Sequence, residues 1–111
     1  MALLKGTLDV LVLKTLSWGP MHAFEIVSWL EDQSGGRVAV EDAAFLQAVH
    51  RLEERKLLRA EWGTTKNARR ARYYSLTERG RAHLRVESSR LVDHLDALVT
   101  ILGAKQRAAA P

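Results

Sequence analysis

Residues Val40–Leu76, VEDAAFLQAVHRLEERKLLRAEWGTTKNARRARYYSL, restrict the folds open to this chain more than any other stretch. Phe45, Ala48, Val49 and Leu52 fall at i, i+3, i+4 and i+7, one face of a 3.6-residue helix, and predict a helix over about 41–55. The opposite face carries Ala43, Leu46, Gln47, His50, Arg51 and Glu54. The next run, Leu57–Trp62, has the length and flanks of a strand. Ala71–Leu76 is a clearer strand, with Tyr74 and Leu76 set against Arg72, Tyr73 and Ser75. Between them, GTTKNARR has no hydrophobic anchor and holds Lys66, Arg69 and Arg70.

An amphipathic helix leading into a hairpin with a cationic tip is the pattern of a winged helix-turn-helix, a DNA-binding architecture. Charge distribution points the same way. The whole chain carries only +4, but Lys66–Arg85 holds seven basic residues (Lys66, Arg69, Arg70, Arg72, Arg79, Arg81 and Arg85) against one acid, Glu78. A localised excess of this kind is the footprint expected of a nucleic-acid binder, although charge runs also occur as plain solvated surface.

Before this stretch, Gly6-Thr7 opens a first helix, with Thr7 read as its N-cap and Asp9 in the first turn, where the helix dipole favours an acid. TLDVLVLKTLS is apolar on several sides. Leu8, Leu11, Val12 and Leu16 form one stripe, with Val10 and Leu13 outside it, which predicts burial against a second subunit as well as the core. Trp18-Gly19-Pro20 reads as a turn. The second helix, about His22 to Glu31, places Phe24, Ile26, Val27 and Leu30 on its apolar side, and Asp32–Gly36 ends it.

Beyond the hairpin, Thr77 is the expected N-cap of a last helix running to about Leu102, with Gly80 weakening its first turn. Leu84, Ser88, Leu91, Leu95, Leu98 and Leu102 recur at spacings of four and three, the seam of a coiled coil. Packing on its own core would use part of this seam. The rest calls for a partner, so Leu8, Leu11, Leu84, Leu91, Leu95, Leu98 and Leu102 are the expected dimerisation residues. The expected organisation is a winged-helix domain over 1–76, a dimerisation helix over 77–102 and a frayed tail over 103–111. The fold class is mainly α with a small β-hairpin.

Several function classes are excluded. There are no cysteines, so disulfide and thiolate chemistry are absent. No apolar run approaches the ~18 residues that span a bilayer. Lys5, Asp9 and Lys14 interrupt the leucine-rich start, which is not a signal peptide, so a cytoplasmic protein with no membrane role is expected. His22/Glu25 and His50/Glu53 have metal-compatible i, i+3 spacing but lack a third ligand, and no cofactor is implied. No Gly-rich phosphate loop or nucleophile elbow is present, so an enzyme is not expected.

For DNA, the basic residues divide into two jobs. Lys66, Arg69, Arg70 and Arg72 on the wing suit phosphates or the minor groove. Gln47 and Arg51, one turn apart on the helix, can read adenine and guanine edges, and His50 can donate to phosphate or base. Glu41 and Asp42 repel phosphate while stabilising the helix start. The competing reading is a winged-helix dimer that binds a protein or a small molecule without specific DNA recognition.

Three segments, KGTLDVLVLKTLSWGPMHAFEI, QAVHRLEERKLLRAEWG and RRARYYSLTERGR, resemble the PadR family of bacterial transcriptional regulators in its short form. The likeness spans roughly Lys5 to Leu102. It implies a homodimeric repressor that binds an inverted-repeat operator in double-stranded DNA, with the third helix in the major groove and the last helix at the dimer interface. This chain departs from the family pattern where Gly-Ser/Thr-Leu-Tyr-Pro-Ala-Leu-His-Arg-Leu becomes Ala43-Ala44-Phe45-Leu46-Gln47-Ala48-Val49-His50-Arg51-Leu52, and where Met-His-Gly-Tyr becomes Met21-His22-Ala23-Phe24. Lys56 stands where glycine commonly follows the recognition helix. Some members bind flat aromatic molecules through a tryptophan on the last helix. Here Trp18, Trp29 and Trp62 all lie elsewhere, so a small-molecule effector has no equivalent aromatic slot and is unidentified.

Overall fold

The computed structural model describes Leu3, Leu4 and residues 6–105, so the expected tail lies outside the described residues from 106 onward. Among the described residues four α-helices and three strands follow in the order α1 (Thr7–Thr15), β1 (Met21–His22), α2 (Ala23–Gln33), α3 (Asp42–Glu54), β2 (Leu58–Thr64), β3 (Arg70–Leu76) and α4 (Glu78–Leu102). A single 3₁₀ turn, Leu16–Trp18, follows α1. The fold is a winged helix with a long C-terminal helix. Its sheet has three antiparallel strands in the order β1-β3-β2, one more than the expected hairpin. Two-residue β1, paired through Met21 to Tyr74 and His22 to Tyr73, is too short to leave a period in sequence.

α1 begins differently from expectation. Gly6, at φ 85°, is the N-cap residue, and Thr7 is already helical. The helix sits between α2, α3 and α4, burying Val12, Leu13 and Thr15, while Leu8 and Leu11 pack half-buried against the same core. Its all-round apolar character is thus met largely within one chain.

α2 is started by a reciprocal capping box. The His22 amide donates to Glu25 Oε1 at 3.1 Å, and the Glu25 amide donates to His22 Nδ1 at 3.4 Å. Ile26 and Leu30 face the core. Phe24, two residues from Ile26, lies on roughly the opposite side of a 3.6-residue helix and is 76% exposed, contrary to its expected place in the apolar stripe.

α3 buries Phe45, Ala48, Val49 and Leu52, as its period predicts. It closes in a Schellman motif: the Leu57 amide donates to the Leu52 carbonyl at 2.9 Å, and the Lys56 amide to that of Glu53 at 3.0 Å. Lys56 holds φ 63°, the left-handed conformation that glycine adopts without penalty. The next turn is tied to this one. Thr77 Oγ1 donates to the Lys56 carbonyl at 2.7 Å and accepts from the Gly80 amide at 3.0 Å, capping α4 as expected. Gly80 does more than weaken a turn. A Cβ there would lie 2.1 Å from the Leu57 carbonyl oxygen, so α4 can cross the end of α3 only because this side chain is absent.

Leu58, Tyr74 and Leu76 join the helical residues in one core. In the β2–β3 register, Leu58 faces Leu76, Ala60 faces Tyr74 and Trp62 faces Arg72. Arg72 therefore shares the core-side face with Tyr74 and Leu76, not the opposite face read from sequence. α4 packs on α1 through its first half, where Leu84 is buried and Leu91 half-buried. From Val92 to Leu102 every residue is exposed.

Candidate nucleic-acid interface

The wing is an ordered hairpin. At its tip the Ala68 amide donates to the Thr65 carbonyl at 2.9 Å, the Thr65 amide to the Arg69 carbonyl at 2.8 Å, and the Arg69 amide to Thr65 Oγ1 at 3.2 Å. Ala68 takes φ 58°, as in a three-residue hairpin loop whose last residue is left-handed. Lys66 and Arg69 are exposed at this tip and have no ion-pair partner among the described residues.

Lower on the hairpin the cations are held in place. The Arg70 guanidinium lies 4.7 Å from the Trp62 ring centre, so a tryptophan that is 60% exposed serves as its platform. Arg72 donates to Glu53 of α3 at 3.3 Å and stands 6.0 Å from both Trp62 and Tyr74. This pair locks the base of the wing to the helix beside it. Burial pushes the Tyr74 phenol above its ordinary range, partly offset by the Arg72 charge. A groove of about 880 Å³ runs between the wing and the start of α2, with His22, Phe24, Trp62, Lys66, Arg70 and Tyr73 on its walls.

On α3, the three expected polar readers have different situations. Arg51 is not free: it grips Asp9 of α1 in a two-point pair at 2.7 and 3.3 Å. The hydrogen bond to Asp9 holds the guanidinium still more firmly protonated than usual. His50 lies 3.0 Å from Glu54, and both are exposed. Gln47 is exposed with no side-chain hydrogen bond among the described residues. It lines a cavity of about 600 Å³ shared with Leu8, Asp9, Val40 and Arg51. The metal-compatible spacings are used otherwise, His22 with Glu25 in a cap and Glu53 with Arg72.

Sequence reasoning missed Phe24 and Trp62 as surface features, while Leu46 is exposed on the face opposite the buried stripe, as the period places it. Leu46 is 57% exposed on the same side of the domain as Phe24, and the two line one shallow pocket with Val27 and Asp42. Trp62 stands opposite Arg72 and two residues beyond Ala60 on the core-side face, so alternation alone would have buried it. Trp18 is exposed, its ring tilted against that of half-buried Trp29 with centroids 5.1 Å apart.

The expected dimerisation residues also separate. Leu84 is committed to the protomer's own core, Leu8, Leu11 and Leu91 are half-buried, and Leu95, Leu98 and Leu102 are bare, with Val92, Val99 and Ile101 exposed beside them. No helix among the described residues is long and apolar enough to cross a membrane.

Residues 12–86 match the transcriptional regulator PadR-like family. The fold is similar to a PadR family transcriptional regulator from Eggerthella lenta, at 27% identity and TM-score 0.75, covering 91% of this chain and 86% of that one. A PadR-like transcriptional regulator from Bacillus cereus matches at 17% identity and TM-score 0.77, covering 91% and 96%. An uncharacterised protein of Lysinibacillus sphaericus is 22% identical over 82 residues, 74% of this chain and 75% of that protein.

Proposed function

From the premise that this chain belongs to the PadR-like family of transcriptional regulators, we propose that it acts as a homodimeric repressor in the cytoplasm, bound to an inverted-repeat operator. In this reading α3 enters the major groove, and the wing lies on the backbone or in the minor groove. Regulation follows from occupancy, since a dimer seated on its operator blocks access to it. Family members are regulators rather than enzymes.

The observation that carries the reading is the ordered cationic wing beside an exposed helix face. Lys66 and Arg69 extend from a hydrogen-bonded tip, Arg70 is braced on Trp62, and Arg72 fixes the wing's base to α3. Cations on a preformed hairpin can meet phosphates with little ordering cost. The bare apolar half of α4 supports a two-fold dimer, which would set two α3 helices about one DNA turn, roughly 34 Å, apart.

Selection of bound DNA from a random duplex pool tests this. An enriched inverted repeat is expected. Weak binding with no enrichment would overturn the reading in favour of a protein- or small-molecule-binding module.

A further inference from the structure

The outward face of α3 has fewer polar readers than its sequence promises. Arg51, the residue suited to guanine, is tied to Asp9 at two points, and His50 is paired with Glu54. What remains exposed at the N-terminal half of the helix is Asp42, Ala43, Ala44, Leu46 and Gln47. Ala43 and Leu46 are three residues apart and Ala43 and Gln47 four, so they are neighbours on the helix surface. Leu46 and Phe24 together present apolar surface on a side flanked by the cationic wing.

We propose that Leu46, with Ala43 beside it, reads the 5-methyl groups of thymine in the major groove, while Gln47 takes the adenine edge, so that α3 selects A·T pairs. This rests on the proposed DNA binding and specifies what the helix recognises.

The chemistry is selective. The thymine methyl is the apolar group that a base pair displays in the major groove, and glutamine matches the adenine N6/N7 edge in two-point fashion. An exposed aliphatic side chain has no counterpart on the phosphates. Asp42, which borders the same pocket, repels phosphates, so the surface left for Leu46 is the base edges. The wing supplies the compensating positive charge from Lys66 and Arg69, outside this patch.

The test uses the full chain and the duplex recovered by the random-pool selection, made once with thymine and once with deoxyuridine in each half-site. That change removes the methyl groups and leaves every hydrogen-bonding group in place. The wild type should bind the uracil duplex about four-fold more weakly for each methyl that Leu46 or Ala43 covers. Leu46→Ser, at an exposed position where folding is not at stake, should lower the thymine-to-uracil ratio about four-fold for the methyl that Leu46 covers, leaving only the share of Ala43 and an unchanged salt dependence. If an enriched sequence binds equally with thymine or uracil, this inference fails and the DNA-binding reading survives. A wild-type preference for thymine that persists undiminished in Leu46→Ser would equally overturn the role of Leu46. If the pool yields no enriched sequence, both fall, and the patch formed by Leu46 and Phe24 belongs to a protein partner.

Discussion

The two halves of α4 are one continuous helix built on opposite terms. The first half, Glu78–Leu91, is pinned at its start by Thr77 and Gly80 to the end of α3 and along its length by Leu84 to α1 and the core. The second half, Val92–Leu102, is buried by nothing among the described residues, yet holds Val92, Leu95, Leu98, Val99, Ile101 and Leu102. A sequence can thus carry one heptad-like seam whose early positions serve the protomer and whose late positions do not. The seam's period is the same throughout, and only the neighbours differ. Isolated helices draw little stability from propensity alone, so a bare apolar end is a surface in want of a partner.

The largest effect should come from breaking the first half at its tightest point. Gly80→Ala puts a methyl group 2.1 Å from the Leu57 carbonyl oxygen, and backbone must move to admit it. A loss of about 3 kcal/mol is expected in chemical denaturation. A stability within about 0.5 kcal/mol of wild type, the scatter of neutral surface changes, would show that the crossing has slack.

A matched pair of truncations sharpens the contrast. Leu84→Ala should cost about 2–3 kcal/mol at every protein concentration, because it hollows the protomer core. Leu95→Ala should act only through assembly, so its denaturation midpoint should shift in a concentration-dependent way. Equal, concentration-independent losses would erase the distinction between the halves.

Arg69→Ala separates charge from assembly. It should leave oligomeric mass untouched and lower the salt slope of DNA binding by about one, as expected when one fewer phosphate is neutralised. An unchanged slope would remove Arg69 from the interface. The smallest effect belongs to the α3–β2 junction. Lys56 sits at φ 63°, so Lys56→Gly should raise stability by up to about 1 kcal/mol, read as a later denaturation midpoint.

Local order is the part of this chain that its sequence makes legible. The stripe of Phe45, Ala48, Val49 and Leu52, the hairpin and the Thr77 cap each follow from residues within a turn or two of one another, whereas the left-handed Lys56 is suggested only by the family's glycine at that place. The hidden features depend on chain segments far apart. Arg51 meets Asp9 across 42 residues, and nothing near Arg51 in sequence signals that its charge is engaged. Gly80 looks like a weak helix former until Leu57 is placed against it. β1 exists only because β3 offers an edge to Met21 and His22. For the site, composition alone marks the wing cations and the helical period sets Leu46 opposite the buried stripe, whereas Trp62 lies on the core-side face of its strand and is exposed all the same. Phe24 precedes Ile26 by two positions and so falls on the far side of α2, outside the stripe that its hydrophobicity suggests.

The central claim is that DNA binding requires the bare half of α4 to be covered by a second copy. Light scattering of the full chain and of Leu95→Arg, each followed by an operator titration, tests it most directly. Leu95 is exposed in the protomer, so an arginine there leaves the fold intact but places a desolvated charge in a two-fold interface. The wild type should have twice the 12.5 kDa chain mass at micromolar concentration. Leu95→Arg should be a folded monomer that has lost operator binding with every wing cation in place. A wild-type monomer that binds its operator tightly would contradict the account.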